Sequence, residues 1–415
     1  MRGSARTLGA AALGLLVCML ASSCGSGGDH LLSSGTTSSS PPPSGSNVAS
    51  AVVNSGPANN SANTLFVSVT VCAPGSTTNC QTIDDVEVDT ASYGLRILSS
   101  ALTVALPVQT LSTGASLLEC TNFVQGYSWG PVVAADVQVA GETASSVPVQ
   151  VIGDPSYTTV PDDCSGIGTQ VGTIDTVSSF GANGVLGVGP FAQDCGANCA
   201  NQAVPTTYYA CTTSSDCVAT AVPLSAQVQN PVTLFTKDNN GVIVQLTNVA
   251  GGGATSASGY LIFGVGTESN NATSASQTVL TVDDSDNLTV TFNGVSYVTS
   301  FIDSGSNGIF FNDSSLPVCT QSALSAFYCP SAPVSLSATL TGANGVTATV
   351  DFTIANTATL FSTSTDLTAL PELGGTYPDS STSFDFGLPF YYGRSVATVI
   401  EGNTTKAGTG PYFAF

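Results

Sequence analysis

Hydrophobic and polar residues alternate along much of the chain, which is the pattern of half-buried β-strands. LFVSVTV, residues 65–71, alternates cleanly, and so does LTVTF, residues 288–292, before Asn293-Gly294, a dipeptide typical of hairpin turns. Residues 335–354 alternate on both sides of a second Asn-Gly turn. Helical periodicity is scarce, and residues 232–238 are the best short candidate. The pattern therefore predicts an all-β protein.

Composition agrees with this fold class. Charged residues make up only 8% of the 415 residues, whereas Ser, Thr, Gly, Val and Ala are abundant, which favours strands and tight turns over helices. A chain of this length can build one large bilobal domain, so the size of the core is not limiting.

One short pattern occurs twice. VEVDTASYGLRIL and FIDSGSNGIFF share D-[ST]-[AG]-S-x-G-[LI]-x-[IF], which begins at Asp89 and at Asp303, about half of the chain apart. A single Asp-Ser-Gly-Ser stretch is ordinary turn chemistry, but its recurrence at the end of an apolar run indicates two related lobes that each deliver one aspartate. We predict an N-terminal β lobe over residues 47–230 and a C-terminal β lobe over residues 231–415.

The first 24 residues predict export. Two arginines precede an apolar run that is short for a membrane span and suited to a signal peptide. The end of this segment resembles a bacterial lipoprotein processing site that would leave Cys24 lipidated, and Gly25 after it implies an outer-membrane destination, on the periplasmic face or the cell surface. The alternative is a plain secretory signal cleaved near Ala21. Residues 25–46 are rich in Gly, Ser and Pro and predict a disordered tether.

Cysteine usage predicts disulfides. Of twelve cysteines, Cys18 leaves with the signal and Cys24 takes the lipid, so ten remain in an oxidising compartment and five bridges are expected. Zinc ligation is disfavoured because no histidine accompanies these cysteines. Close spacing favours Cys72 with Cys80 and Cys319 with Cys329, and Cys120 is expected to reach Cys164. Cys195, Cys199, Cys211 and Cys217 pair either as neighbours or nested, and the sequence does not decide between these.

Charge excludes several partners. The formal net charge is −21, and removal of the signal takes away two of the six basic residues while all 27 acidic ones remain. Nucleic acid and anionic membrane surfaces are therefore unsuitable partners, and contact with a membrane is expected only through the lipid anchor. Because so few basic groups are left to repel one another at low pH, we expect the folded protein to tolerate acid.

The absence of histidine from the predicted lobes restricts the chemistry. The single histidine, His30, lies in the tether, which excludes a Ser-His-Asp triad, a Cys-His pair and a histidine metal site in the folded part. The glycine run at residues 251–253 predicts a flexible loop rather than a phosphate cradle. We expect no metal and no cofactor. Carboxylates must carry any proton chemistry, either in glycoside cleavage or in acyl transfer by a dyad that shares one proton.

At the two aspartate stretches the chain resembles the pepsin-like aspartic peptidases, in which each lobe contributes a D-[TS]-G-[ST] loop. This resemblance implies a bilobal double β-barrel with a cleft between the lobes, and it extends over roughly residues 60–415. Further matches are SFGANGVLGVGPF (179–191) after the flap, the flap segment 126–141, the strand SGYLIFGVG (258–266) and the closing segment 384–402.

The resemblance also implies a site. Asp89 and Asp303 would form a dyad that shares one proton and activates a water for attack on a peptide carbonyl. The implied supporting residues are Thr90 and Ser304, whose hydroxyls lock the loops together, Ser92 and Ser306, which hydrogen-bond the outer carboxylate oxygens, and Gly305, which lets backbone approach the carboxylate.

The sequence departs from that pattern at several places. Ala91 stands where the family has glycine in the first loop. Phe123 occupies the position of the usual flap tyrosine, so that Tyr127 or Trp129 would have to replace its phenol from the flap. Asp385, in the closing segment, stands at a position that is normally apolar.

Two hypotheses share this architecture. The first is a monomeric aspartic endopeptidase that cuts extended polypeptides laid across the cleft. The second is a pepsin-fold protein without catalysis that binds a peptide, glycan or partner protein in the same cleft. A third, glycoside hydrolysis by Asp89 and Asp303, needs carboxyl groups at least about 5 Å apart and an aromatic platform for sugar.

Overall fold

We analysed a computed structural model, which describes residues 43–165, 172–273, 276–364, 366–377 and 382–415. The predicted signal peptide, Cys24, His30 and nearly all of the predicted tether lie outside the described residues.

Strands make up most of the regular structure, which confirms the predicted all-β class. The described strands are β1 (Val48–Val53), β2 (Leu65–Cys72), β3 (Cys80–Asp89), β4 (Tyr93–Leu98), β5 (Ser116–Phe123), β6 (Gly126–Val139), β7 (Glu142–Ile152), β8 (Gly184–Val188), β9 (Tyr208–Cys211), β10 (Cys217–Ala219), β11 (Gly241–Leu246), β12 (Ala257–Phe263), β13 (Val279–Thr281), β14 (Leu288–Phe292), β15 (Val295–Ile302), β16 (Ile309–Phe310), β17 (Val334–Thr341), β18 (Thr347–Ile354), β19 (Gly374–Gly375), β20 (Asp385–Phe386), β21 (Ser395–Val399), β22 (Thr404–Thr405), β23 (Gly408–Thr409) and β24 (Tyr412–Ala414).

Helices are short. The α-helices in the described part of the chain are α1 (Asp162–Ser165), α2 (Val177–Phe180), α3 (Ala197–Asn201) and α4 (Thr357–Thr363). Five 3₁₀ helices accompany them: Ser99–Ala101, Leu224–Ala226, Pro231–Leu234, Ser322–Leu324 and Leu388–Tyr391. The 3₁₀ helix Pro231–Leu234 overlaps residues 232–238, the best helical candidate in the sequence.

The strands form one large sheet and two smaller ones. The large sheet has the order β10-β9-β5-β6-β7-β4-β8-β3-β2-β1-β12-β11-β21-β24-β13, the second β18-β17-β14-β15-β20-β16-β19, and the third β22-β23. β1 pairs antiparallel with β12, from Val48 opposite Ile262 to Val53 opposite Ala257, and also with β2, so it links strands of the two halves within the large sheet. The lobe boundary between residues 230 and 231 stays a prediction.

The hairpin of β14 and β15 shows how the sequence pattern becomes structure. Leu288, Val290 and Phe292 are buried, while the two threonines between them are not, as period-two alternation requires. Asn293 and Gly294 both adopt positive φ, of 50° and 77°, which matches the twist of a tight two-residue turn. The buried face of this hairpin packs into the core of the second half.

The same three-strand arrangement occurs in both halves and carries the two aspartates. β3 runs parallel to β8 with Asp89 opposite Gly187, and β4 pairs antiparallel with β8. In the second half β15 runs parallel to β20, which pairs antiparallel with β16. A Cβ atom on Gly187 would lie 2.5 Å from the nitrogen of Tyr93, and one on Gly387 would lie 2.2 Å from the oxygen of Gly308. Only glycine allows the crossing strands to pack this closely against the loops.

Among the described residues five disulfides are present, which confirms the prediction that these cysteines are bridged. The four cysteines whose pairing the sequence left open join as neighbours. The pairs are Cys72–Cys80, Cys120–Cys164, Cys195–Cys199, Cys211–Cys217 and Cys319–Cys329. Such bridges indicate an oxidising compartment and therefore export. Within the described ranges, no helix has the length and apolar character needed to cross a membrane.

Candidate active site

The two aspartate loops are locked together by reciprocal hydrogen bonds. The backbone N–H of Ser304 donates to Thr90 Oγ1 at 3.0 Å, and the backbone N–H of Thr90 donates to Ser304 Oγ at 3.2 Å. The Ser304 hydroxyl in turn donates to the carbonyl oxygen of Val88 at 2.7 Å. The Thr90 hydroxyl also lies 2.8 Å from the hydroxyl of Tyr391. These buried contacts are the ones that the resemblance implied for Thr90 and Ser304, and they fix the two loops relative to each other.

Each aspartate is also held by its own loop. The Gly305 N–H donates to Asp303 Oδ1 at 2.7 Å, and the Ser306 hydroxyl lies 2.9 Å from Asp303 Oδ2. In the first loop the Ala91 N–H donates to Asp89 Oδ1 at 2.8 Å. The alanine therefore allows the same backbone approach as Gly305.

The two serines that follow the aspartates differ from each other. Ser306 makes the contact with Asp303 that the resemblance implied. Ser92 lies near enough to Asp89 to lower the pKa of that carboxyl, but its buried Oγ makes no well-directed hydrogen bond within the described structure. The loops are thus similar in backbone and different in their hydroxyl contacts.

The Asp89 and Asp303 carboxyls lie close enough to shift each other's pKa. Burial raises the pKa of both carboxyls; the negative charge of Asp89 raises that of Asp303 further, and hydrogen bonding with Asp303 lowers that of Asp89. Two carboxylates in such contact form a hydrogen bond only when one of them carries a proton, so the pair favours a single shared proton.

Asp89 Oδ1 accepts from the Ala91 N–H, whereas Asp89 Oδ2 is free to accept another hydrogen bond. It is buried and has no hydrogen-bond partner among the described residues. A carboxylate oxygen in this position can accept a proton from a water bound between the two carboxyls. The geometry therefore suits general acid–base chemistry at a shared water.

Arg96 and its two acidic partners form a buried charged group near the dyad that was not identified from the sequence. Arg96 is 1% exposed, and its Nη2 lies 2.6 Å from Glu119 Oε1 and 3.1 Å from Asp194 Oδ2. Its Nε donates to Thr121 Oγ1 at 3.0 Å, and its positive charge lowers the pKa of Asp89. The available signal was that Arg96, one of six basic residues in the whole chain, stands seven positions after Asp89.

Glu87 is a second buried carboxyl on β3. Burial raises its pKa well above the usual value, and the nearby Asp89 raises it further. Its Oε1 has no hydrogen-bond partner in the described structure. Because alternate residues of a strand share a face, Glu87 lies on the same side of β3 as Asp89, a spacing visible in the sequence E-V-D.

The predicted flap is the hairpin of β5 and β6, but its aromatic residues face away from the dyad. Phe123 is buried against Phe180 in an apolar cluster of the first half. The indole of Trp129 packs on Tyr209 at 5.2 Å and donates to a backbone carbonyl at 2.9 Å, and Tyr127 packs on the same cluster as Trp129. In the described structure no hydrogen bond from Tyr127 or Trp129 reaches the dyad. Replacement of the flap phenol by Tyr127 or Trp129 stays a prediction.

The dyad is covered in this structure. Asp89 and Asp303 are 0% and 1% exposed. Val124, at the tip of the flap, packs on an apolar cluster of the second half that contains Phe301, Phe310 and Leu370. A polypeptide can therefore reach the carboxyls only if the groups that bury them move.

The repeated strand arrangement, the locked loops and the paired carboxyls define a pepsin-like aspartic proteinase fold. Among solved structures the chain is similar to the aspartic proteinase from Irpex lacteus, with a TM-score of 0.50 and 15% identity over 88% of this chain and 96% of that chain. At this identity the similarity shows the fold alone. The chain belongs to the family described as "Protein of unknown function (DUF3443)", which matches residues 43–415. A search of curated proteins found no match.

Proposed function

We propose that this protein is an aspartic endopeptidase that hydrolyses peptide bonds of extended polypeptides. The observation that carries the proposal is the pair of reciprocal Thr90–Ser304 hydrogen bonds, which hold the loops of Asp89 and Asp303 against each other. A rigid lock of this kind keeps two like charges in contact and so favours a shared proton. Retention of both aspartates and all four neighbouring hydroxyls supports the same conclusion.

In the proposed reaction, Asp89 is the base and Asp303 the acid. The carboxylate of Asp89 takes a proton from the water while the water oxygen bonds to the peptide carbonyl carbon, and Asp303 gives its proton to the carbonyl oxygen. The tetrahedral diol then collapses: the C–N bond breaks, the amine leaves with a proton from Asp89, and Asp303 regains a proton from a diol hydroxyl. Both carboxyls end in their starting states.

Electrostatics supports this assignment of roles. Burial raises the pKa of both carboxyls; Arg96 then lowers that of Asp89, whereas the negative charge of Asp89 raises that of Asp303 further. The proton shared by the pair is therefore held more strongly by Asp303.

A second candidate function has an observation of its own. The complete burial of both aspartates and the phenylalanine at position 123 favour a pepsin-fold protein that binds a peptide, glycan or partner protein in the cleft without cleaving it. This protein would have the same fold and would keep the locked loops as structural features.

One experiment separates the two functions. An unfolded protein substrate is incubated with the purified protein from pH 3 to 7, beside the Asp303→Asn variant and, as a control for loss of one surface carboxyl, Asp351→Asn. We expect cleavage that is strongest at acid pH, is lost in Asp303→Asn and is retained in Asp351→Asn. A folded protein that cleaves nothing, or an Asp303→Asn variant that cleaves equally, would remove the peptidase proposal and favour the binding function.

We further propose that Cys24 carries a lipid that holds the protein, as a monomer, at the bacterial outer membrane. The disulfides support export, and the leader sequence supports lipidation. Mass spectrometry of the mature protein tests this, because cleavage before Cys24 with a diacylglyceryl group is expected and an unmodified start near Ala21 would contradict it.

A further inference from the structure

A third buried carboxyl, Asp385, lies next to the dyad. It is 2% exposed and lies in β20, opposite Phe301 of β15 and Phe310 of β16. Its neighbours Phe384 and Phe386 stack on each other at 4.7 Å in the core of the second half. Since successive side chains of a strand point to opposite faces, the aspartate between them is directed away from that core and towards the loop that carries Asp303.

Ser306 connects Asp385 to the dyad. Its Oγ lies 2.9 Å from Asp303 Oδ2 and 2.5 Å from Asp385 Oδ2. A serine hydroxyl has a single hydrogen and can donate to only one of these two oxygens. The other contact is a hydrogen bond only if that carboxyl is itself protonated and donates to the serine oxygen. At least one of the two carboxyls therefore carries a proton on Oδ2.

The surroundings place this proton on Asp385. Asp303 Oδ1 accepts from the Gly305 N–H at 2.7 Å, so this carboxyl has a donor that does not depend on Ser306. Asp385 Oδ1 is buried and has no partner within the described part of the chain, so that ionised Asp385 would leave a charge poorly solvated. Burial accordingly raises the pKa of Asp385 well above its usual value, against the lowering effect of Ser306 and with a further increase from Asp89.

The other ionisable groups around the dyad do not replace Asp385 in this role. The contacts that hold them are with other residues: Ala91 for Asp89, Thr90 for Tyr391, and Glu119 and Asp194 for Arg96. These groups are Asp89 at the end of β3, Glu87 on the same strand, Tyr391 in the 3₁₀ helix after β20, and Arg96 on β4, whose charge acts on Asp89.

We propose that Asp385 is a positioning residue that holds a proton on Oδ2 and donates it in a hydrogen bond to Ser306 Oγ, which directs the Ser306 hydrogen onto Asp303. The role in catalysis rests on the proposed peptidase function, whereas the position of the proton does not. When Asp385 loses this proton, the Ser306 hydrogen turns to the new carboxylate, and Asp303 loses a donor and gains a negative neighbour. Activity then falls as the pH rises.

The first test measures the proton directly. Infrared difference spectra at neutral pH compare the wild type with Asp385→Asn and with Ser306→Ala. We expect the wild type to show a protonated carboxyl band that Asp385→Asn lacks, and we expect Ser306→Ala to keep the band but shift it towards that of a carboxyl without this hydrogen bond. A spectrum unchanged by both substitutions would overturn the proposal, and Ser306→Ala keeps the test valid if Asp385→Asn does not fold.

The second test uses the pH profile of peptide cleavage. In Asp385→Asn the amide can still donate to Ser306 but cannot titrate, so we expect kcat and KM at acid pH within about threefold of wild type and a decline at higher pH that involves one proton fewer. In Asp385→Leu the donor is lost, and we expect kcat to fall roughly tenfold with KM unchanged. An Asp385→Asn profile identical to that of the wild type would contradict the role in catalysis.

The two tests distinguish failure of the proton assignment from failure of the proposed peptidase function. A protein that shows the infrared change but cleaves nothing keeps the proton on Asp385 and overturns the peptidase function. A protein that cleaves peptides but lacks the infrared change keeps the peptidase function and overturns the assignment of the proton.

Discussion

The side-chain amide of Asn63 donates a hydrogen bond of 2.8 Å to the carbonyl oxygen of Asn307, in the loop that carries Asp303. The same amide donates to the carbonyl oxygen of Leu370 at 2.8 Å, and Asn63 Oδ1 accepts from the Leu370 N–H and from the Tyr392 hydroxyl. Asn63 precedes β2 in the first half of the chain, and all its partners belong to the second half. One buried side chain thus joins the two halves beside the dyad.

We expect Asn63→Gly to weaken this junction. Glycine keeps the positive φ of 52° at this position but loses four hydrogen bonds, so the free energy of unfolding should fall by about 2 kcal/mol or more in urea titrations. Asn59 has a φ of 54° and lies exposed, and Asn59→Gly is the matched control, with little expected change. Equal stability of the two variants would show that the Asn63 contacts contribute nothing to the junction.

The buried carboxyls predict that the protein is more stable in mild acid than at neutral pH. The pKa values of Glu87, Asp89, Asp303 and Asp385 are all raised, chiefly by burial. A carboxyl with a raised pKa contributes stability that is fully present below the pKa of the unfolded chain, near 4, and is lost as the pH rises through the folded-state pKa. The slope is about 1.4 kcal/mol per pH unit for each proton bound only by the folded state.

Urea unfolding between pH 8 and pH 4 measures this slope. We expect the free energy of unfolding to increase on acidification and the increase to be smaller in Asp385→Asn. Stability that declines steadily from pH 7 to pH 4 would contradict both this expectation and the acid tolerance inferred from the scarcity of basic residues.

Removal of Arg96 should lower the free energy of unfolding far more than removal of an exposed basic residue. Arg96→Met leaves Glu119 and Asp194 buried without a cation, which costs about 3–5 kcal/mol. Lys237 forms an exposed ion pair with Glu268, and Lys237→Met should change the free energy of unfolding by less than about 1 kcal/mol. Thermal or urea unfolding of both variants provides the measurement, and similar losses in the two would argue against a buried ion cluster.

The disulfides should contribute according to the length of chain that they close. Cys120–Cys164 closes a separation of 44 residues and fastens the flap strand β5 to α1, whereas Cys211–Cys217 closes only 6. Loop entropy gives about 4 kcal/mol for the first and about 2 kcal/mol for the second. Double alanine variants of each pair, compared by urea unfolding, should show this order, and the reverse order would indicate that strain or packing outweighs loop length.

Local patterns in the sequence predicted much of the fold and the centre of the site. Alternation located the β14–β15 hairpin, and the repeated motif located Asp89 and Asp303 because each lies at the end of its own strand. Contacts between distant segments had no such signal. Arg96 meets Asp194 across 98 positions, and nothing local to either residue predicts that meeting.

Asp385 shows a different limit of prediction from the sequence. The sequence placed it at a position that is normally apolar, but its contact with Ser306 depends on how β20 crosses the Asp303 loop. The pairing of the four central cysteines likewise required the hairpin of β9 and β10, in which Cys217 lies opposite Cys211. Spacing alone allowed the nested alternative.

The most direct test of the proposed peptidase is a double-mutant cycle on Asp89 and Asp303. Values of kcat/KM for peptide cleavage are measured at acid pH for the wild type, Asp89→Asn, Asp303→Asn and the double variant. Because two residues that act as one unit give non-additive losses, each single substitution should lower kcat/KM by at least about 10³-fold, and the second should add little. Single variants that keep substantial activity, or losses that simply multiply, would contradict a dyad that shares one proton.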